Sequence, residues 1–162
     1  MNARKALFLG SMLALLVPMV MLEAIAADDG SDSSLGTWKL NVAKSTFGSG
    51  PAPKSETRTY SEISMGTHVV IESEDASDKK NKAETLLTHN GQPQKIVGNA
   101  DFDSVTTRRL DKYETTADLL RNGKVIGTLR RLVSKDGKSM TINQKVTRPD
   151  GTTETSMGFY ER

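Results

Sequence analysis

Three x-Gly pairs divide the last third of the chain, KYETTADLLRNGKVIGTLRRLVSKDGKSMTINQKVTRPDGTTETSMGFYE (residues 112–161), into segments of similar length. They begin 14 residues apart: Asn122-Gly123, Asp136-Gly137 and Asp150-Gly151. Such pairs favour the type I′ turn of a two-residue β-hairpin, in which both central residues take positive φ. The regular spacing therefore predicts long strands joined by tight hairpins, which is a β-meander.

The segments between these turns alternate in polarity with a period of two residues. In Lys112–Arg121, the alternate positions from Tyr113 to Leu119 lie on one face, and the polar positions from Glu114 to Asp118 lie on the other. Such alternation is typical of a strand with one buried face. Another x-Gly pair, Asn90-Gly91, predicts a further hairpin turn. Similar patterns predict nine more strands: Gly36–Asn41, Thr57–Ile63, Thr67–Glu74, Lys82–His89, Gln94–Val97, Ser104–Asp111, Lys124–Val133, Lys138–Thr147 and Thr152–Glu161.

Composition agrees with an all-β fold. The chain has 17 threonines, a β-branched residue suited to a pleated and half-solvated surface. No segment after residue 27 has a helical period of hydrophobic residues. An open meander would expose two edge strands, and closure removes both edges. We therefore predict an antiparallel up-and-down meander closed into a barrel of 8–10 strands.

Residues 1–26 have the three parts of a secretory signal peptide. Arg4 and Lys5 are basic, and the apolar run Ala6–Leu22 follows them. Ala24-Ile25-Ala26 then supplies small residues two apart, which predicts cleavage after Ala26. We expect the protein to be exported, to the periplasm or to the medium.

A permanent membrane anchor is the alternative interpretation of the same run. At 17 residues, interrupted by Ser11 and Pro18, it is near the short limit for crossing the hydrocarbon core of a bilayer. Cleavage is therefore favoured, and the mature chain is not expected to span a membrane. Residues 27–34 are small and polar and predict a disordered leader. Residues 35–162 are expected to form a single barrel domain.

Several motifs stand close together at the start of the predicted barrel: Gly36-Thr37-Trp38-Lys39-Leu40-Asn41, Ala43-Lys44-Ser45, Pro51-Ala52-Pro53-Lys54-Ser55 and Thr57-Arg58-Thr59-Tyr60. Their order and sequence resemble those of a group of exported, functionally uncharacterised bacterial proteins. The resemblance extends over most of residues 36–162. It implies export but no particular activity.

Both ends of the predicted barrel also resemble better-known barrels. Gly36-x-Trp38 resembles the opening of lipocalins, and Phe159-Tyr160-Glu161 resembles the ending of fatty-acid-binding proteins. The resemblance implies a lipocalin-like, calycin-type barrel. Gly158 stands where the fatty-acid-binding proteins have an arginine that holds a ligand carboxylate, and Asn41–Ser55 has no counterpart of their two-helix lid.

The composition argues against several kinds of functional site. The chain has no cysteine, and its 22 basic and 20 acidic residues are too evenly balanced for a nucleic-acid partner. His68 and His89 supply at most half of a metal site, and His68 is predicted on the outer face. Asn99–Ser104 resembles part of a calcium loop but lacks the required glycine and the final glutamate, so we expect a solvated turn. We predict no metal, no cofactor and no enzymatic activity.

Two arginine pairs, Arg108-Arg109 and Arg130-Arg131, lie on predicted strands, so one member of each pair faces inward. An inward arginine either binds an anionic head group or covers Trp38 at the barrel end, as the lipocalin resemblance implies. The candidate ligand-binding residues combine aromatic, aliphatic and basic side chains: Trp38, Tyr60, Tyr113, Leu119 and Arg130.

Two functions remain open at this point. The first is an exported, non-enzymatic, lipocalin-like binding protein for a small apolar or amphipathic ligand, which requires a cavity of a few hundred Å³. The second is an envelope protein-interaction or inhibitor-like module with a filled barrel and no ligand. The second function predicts an exposed apolar patch, for example around Phe47–Pro53, against which a protein partner packs.

Overall fold

A computed structural model describes residues 31–162, which form an antiparallel β-barrel. A short 3₁₀ helix, Val42–Lys44, follows the first strand, and the described residues contain no α-helix. None of them belongs to a helix long and apolar enough to cross a membrane. The predicted signal peptide lies outside these residues. The strands are β1 Gly36–Leu40, β2 Ser55–Ile63, β3 Gly66–Glu74, β4 Lys80–Leu87, β5 Gln94–Val97, β6 Ser104–Arg109, β7 Glu114–Arg121, β8 Lys124–Val133, β9 Ser139–Thr147 and β10 Thr153–Glu161.

The barrel closes because β1 pairs with both β2 and β10, while every other strand pairs with its neighbours in sequence. Trp38 of β1 lies opposite Arg58 of β2, and Leu40 lies opposite Tyr160 of β10. Each of the ten predicted segments overlaps one observed strand. The prediction of an all-β meander closed into a barrel is confirmed, with ten strands.

The type I′ prediction holds for one of the four x-Gly turns. Asn122 and Gly123 have φ values of 51° and 73°, as this turn requires. At the other three pairs only the glycine has positive φ, so the prediction of a type I′ turn is wrong there. In two of them the aspartate carboxylate accepts a backbone N–H two residues later, at 3.1 Å for Asp136 and 2.9 Å for Asp150. This Asx bond stabilises a longer turn in which glycine alone adopts the left-handed conformation.

The connections give the barrel two different ends. The closed end consists of residues 31–35, the connections 64–65, 88–93, 110–113 and 134–138, and Arg162. The open end consists of loop 41–54 and turns 75–79, 98–103, 122–123 and 148–152. Because strand direction alternates along the meander, successive connections lie at opposite ends of the barrel, beginning with loop 41–54 at the open end.

Residues 31–34 are packed at the closed end rather than disordered. Asp32 and Ser34 are 7% and 0% exposed, and Ser33 N donates a hydrogen bond to the backbone oxygen of Lys112 at 3.0 Å. The predicted disordered leader over residues 27–34 is therefore wrong for 31–34, and 27–30 lie outside the described residues. Small polar residues predict a solvated segment, whereas here Asp32 and Ser34 accept hydrogen bonds from buried donors.

The barrel interior contains threonine as well as apolar side chains. Trp38, Leu119 and Met140 are fully buried. Four threonines are buried with them: Thr67, Thr85, Thr107 and Thr115. Their short side chains fill less space than leucine or isoleucine would, which leaves room for an internal cavity.

Candidate functional site

A cavity of about 530 Å³ runs through the barrel interior. It reaches the surface at the open end, where Phe47, Pro53 and residues 98–102 form part of its wall. Toward the closed end its wall includes Arg131 and Thr115. The apolar part of the wall comes from strands all around the barrel: Leu40, Val69, Ile71, Ala83, Leu87, Ile96, Val105, Ala117, Leu119, Leu129 and Ile142.

A charged cluster, formed by Glu56, Arg58 and Tyr160, interrupts this apolar wall. Arg58 Nε donates a hydrogen bond to Glu56 Oε1 at 2.6 Å, and Tyr160 Oη donates to the same oxygen at 2.6 Å. The Arg58 guanidinium also lies 5.2 Å from the centre of the Tyr160 ring. The side chains of Glu56 and Arg58 are 17% and 15% exposed. The cluster is thus an ion pair with no net charge, built into the wall of the cavity.

Gly158 makes the position of Tyr160 in this cluster possible. A Cβ atom at residue 158 would lie 2.7 Å from the Tyr160 ring and 2.9 Å from its hydroxyl oxygen. Any other residue would therefore displace the tyrosine from Glu56. The residue that departs from the pattern of the fatty-acid-binding proteins thus permits a different arrangement, with the cluster's arginine on β2 instead of β10.

The electrostatics of the cluster favour its charged form. Burial alone raises the pKa of the Glu56 carboxyl, but the Arg58 charge and the hydrogen bonds from Tyr160 and Arg58 outweigh burial and bring the pKa below its ordinary value. Burial also raises the pKa of the Tyr160 hydroxyl. The Arg58 charge lowers this pKa, but the Glu56 charge raises it, and the pKa remains above its ordinary value. Glu56 is therefore ionised and Tyr160 is neutral near neutral pH.

A second charged group seals the cavity at the closed end. Asp32 Oδ2 lies 3.2 Å from Arg109 Nη2 and 3.3 Å from Arg131 Nη2. Arg131, which is 3% exposed, also donates to Thr115 Oγ1 at 2.9 Å and lies 4.9 Å from the centre of the Tyr60 ring. Burial raises the pKa of Asp32, but Arg131, the Ser34 hydrogen bonds and Arg109 together hold it below its ordinary value. The segment before β1 is thus fixed to the barrel floor by its own carboxylate.

Trp38 is covered at the same end, as the lipocalin resemblance implies, but by a different arginine. Its indole Nε1 donates to Ser34 O at 2.7 Å, and the Arg162 guanidinium lies 4.1 Å from the ring centre. Arg162 Nη2 also donates to the backbone oxygens of Ser33 and Leu35, at 2.8 and 2.9 Å. The cap thus uses an arginine beyond the last strand, not a member of either arginine pair.

His89, which the sequence indicated only as part of an incomplete metal site, lies beside the closed-end charges. Both ring nitrogens are buried and lack a hydrogen-bond partner among the described residues. Burial, followed by the nearby Arg109 and Arg131 charges, lowers the pKa of His89 to about 4. Its ring is therefore neutral near neutral pH. His68, by contrast, lies on the outer face, 3.6 Å from Glu84, as predicted.

The structure separates the five predicted ligand-binding residues. Tyr60 and Leu119 line the cavity. Trp38 is packed in the core at the closed end, Tyr113 is half-buried against that core, and neither lines the cavity. Arg130 lies on the outer face, 57% exposed, with its Nε 2.7 Å from Glu114 Oε1. The inward member of that pair is Arg131.

Glu56 and Arg58 were not predicted as site residues from the sequence. The available signal was a pair of opposite charges at alternate positions, followed at the same spacing by Tyr60, which places all three on one face of β2. Charges on a strand are more often on the solvated face, so this signal was not distinctive. Their burial depends on the closure of the barrel around them.

Within residues 31–162 no group of three or more histidine, aspartate or glutamate side chains is placed to hold a metal ion. In the stretch that resembles part of a calcium loop, Asn99 Oδ1 instead accepts the backbone N–H groups of Asp101 and Phe102, at 2.8 and 3.0 Å. Asp103 accepts the N–H of Asn122 at 2.7 Å. These side chains stabilise the turns of the open end.

Comparison with known proteins identifies no family for this chain. No family model matches it, and neither the curated proteins nor the solved structures include a significant match. What the structure establishes is a closed ten-strand antiparallel β-barrel, an architecture consistent with a lipocalin-like barrel.

Proposed function

We propose that this protein is an exported, non-enzymatic binding protein that takes up a small apolar or amphipathic molecule in its barrel. One observation carries the proposal: a cavity of about 530 Å³, open at one end of the barrel and sealed at the other. Ligand sites in proteins are typically concave, of about 300–1,000 Å³, and lined mainly by apolar side chains with a few polar groups.

The distribution of polar groups supports a carrier. The apolar wall suits a hydrocarbon body, while the cluster of Glu56, Arg58 and Tyr160 offers a polar contact point inside it. The ion pairs around Asp32 close the floor, so a ligand has to enter and leave at the open end. Export, predicted from residues 1–26, would place such a carrier in the envelope or the medium.

The alternative of a filled barrel with an outer protein-binding patch has less support. A filled interior would leave no cavity of this size. Phe47 and Pro53, expected in that case to form an exposed patch, are only half-exposed and contribute to the cavity wall. The open-end loop thus supports the binding function.

Native mass spectrometry tests the proposal. The protein is purified from its own envelope fraction and compared with a delipidated sample, which is then offered a panel of lipids. We expect a discrete added mass of one small molecule that delipidation removes and that the panel restores. A bare protein mass in every sample would overturn the proposal.

A further inference from the structure

The polar cluster in the cavity wall limits the head group that a ligand can carry. Arg58 uses Nε for its hydrogen bond to Glu56, and among the described residues its two terminal amino groups have no hydrogen-bond acceptor. Glu56 accepts both of its hydrogen bonds through Oε1, which leaves Oε2 without a donor. The Arg58 amino groups and Glu56 Oε2 are accessible rather than buried, because the buried side-chain atoms without a hydrogen-bond partner belong to His89, Arg109 and Arg131. The cavity wall therefore offers donors and an acceptor side by side.

The charge of the cluster is already balanced. The Glu56 carboxylate neutralises Arg58, and Tyr160 holds that carboxylate in place by donating to Oε1. A ligand carboxylate at Arg58 would have to approach the Glu56 carboxylate in a site of low dielectric, where like charges repel strongly. A ligand ammonium at Glu56 would meet the Arg58 charge in the same way.

The two other cations in the cavity wall, Lys82 and Arg131, do not provide an alternative anion site. Lys82 is 56% exposed and already pairs with Glu84, its Nζ 2.5 Å from Glu84 Oε1. Arg131 is 3% exposed, and it already contacts Asp32, Thr115 and the Tyr60 ring. An anionic head group there would have to displace the Asp32 carboxylate, which Ser34 also holds through its backbone N–H at 2.9 Å and its hydroxyl at 2.6 Å. Of the buried charged groups in the wall, the cluster formed by Glu56, Arg58 and Tyr160 is thus the one with atoms open to a ligand.

Building on the proposed function, we infer that the ligand is an uncharged amphiphile with a hydroxyl head group, which accepts a hydrogen bond from an Arg58 terminal amino group and donates one to Glu56 Oε2. A hydroxyl is both a donor and an acceptor, so it satisfies both partners without adding charge. The hydrocarbon body lies along the apolar wall. The ligand class is therefore long-chain or polycyclic alcohols, and fatty acids are excluded.

Calorimetric titration of the delipidated protein with three amphiphiles of equal chain length tests this inference: dodecanol, dodecanoate and dodecylammonium, each below its aggregation concentration. We expect dodecanol to bind at least about tenfold more tightly than either ion, because each ion adds an uncompensated charge to the cluster. Equal or tighter binding of dodecanoate would overturn the inference while supporting a binding function. Failure of all three to bind would contradict the binding function as well.

The Glu56→Gln variant reverses the expected preference. It keeps an acceptor for Tyr160 but leaves the Arg58 charge unbalanced, so dodecanoate should gain at least about tenfold in affinity relative to dodecanol. Glu114→Gln is the matched control, because Glu114 pairs with Arg130 in a similar way on the outer face. Its preference should equal that of the unmodified protein. An unchanged preference in a folded Glu56→Gln variant would contradict the assigned head-group site, and the titration of the unmodified protein stands even if this variant does not fold.

Discussion

The two ends of the barrel use charged residues in opposite ways. At the closed end Asp32 and Arg131 are almost fully buried and are hydrogen-bonded to each other. Asp32 also accepts a hydrogen bond from Ser34, and Arg131 donates one to Thr115. At the open end the ion pair between Lys54 and Asp78 is exposed to solvent, with side chains 46% and 71% exposed. Exposed pairs contribute little, whereas removal of one partner from a buried pair leaves an uncompensated charge. Stability should therefore depend on the closed end and ligand access on the open end.

The largest expected difference between the ends comes from neutralising one aspartate at each. Asp32→Asn removes the counter-charge of the buried Arg131 and should lower the free energy of unfolding by about 3–5 kcal/mol. Asp78→Asn at the open end should change it by less than about 0.5 kcal/mol. Urea denaturation of both variants measures the contrast. Equal effects of the two substitutions would show that the closed end has no special role in stability.

The pH dependence of stability should also come from the closed end. The pKa of His89 is about 4 in the folded protein against 6.5 ordinarily, so the unfolded chain takes up a proton first as the pH falls between these values. Stability should therefore decrease from pH 6.5 to pH 4, by about 1–2 kcal/mol after allowing for partial solvent screening. At lower pH, protonation of Asp32 through its lowered pKa should destabilise the fold further.

The variant that tests this assignment is His89→Asn, because His89 has φ 55° and asparagine tolerates that conformation. Urea denaturation as a function of pH should show a flatter profile between pH 4 and 6.5 than the unmodified protein. His68→Asn on the outer face is the control and should retain the original profile. If the two variants behaved alike, His89 would not be the group responsible.

A small effect on stability, with a larger one on ligand exchange, is expected at the cavity mouth. Phe47 is half-buried in loop 41–54, so Phe47→Ala should cost less than about 1 kcal/mol, well below the loss at a buried phenylalanine. Removal of its ring widens the mouth, so a bound fluorescent alcohol should dissociate several times faster. Stopped-flow displacement measures this rate, and Phe47→Leu should largely restore it. A large loss of stability without a change in dissociation rate would place Phe47 in the core.

The sequence was sufficient to predict the strands, because each has a local signal in its alternation and its turns. Asn122-Gly123 shows the strength of this signal and Asp136-Gly137 its limit, since an aspartate that accepts a nearby N–H favours a different turn. The inward face of β8 was harder to predict. Leu129 faces the cavity while Leu132 is 41% exposed, so both faces carry apolar residues. The inward residue of the pair, Arg131, therefore could not be distinguished from Arg130.

The polar groups inside the barrel depend on contacts between distant parts of the chain. Tyr160 reaches Glu56 across 104 residues, and Arg131 reaches Asp32 across 99. Local patterns contain no information about such pairs, because burial of the partners depends on barrel closure. Arg162 covers Trp38 from beyond the last strand, where no strand pattern assigns it to a face. The fold was thus predictable, whereas most of the cavity wall was not.

An accessible cavity that binds one small amphiphile is central to the proposed function. Ala117 and Thr116 are neighbours on β7, but Ala117 lines the cavity wall and Thr116 forms part of an outer groove. Calorimetric titration with dodecanol should show one saturable site in the unmodified protein and in Thr116→Phe, and no binding in a folded Ala117→Phe, whose ring occupies the cavity. Undiminished binding in Ala117→Phe, or no binding in any of the three proteins, would contradict the account.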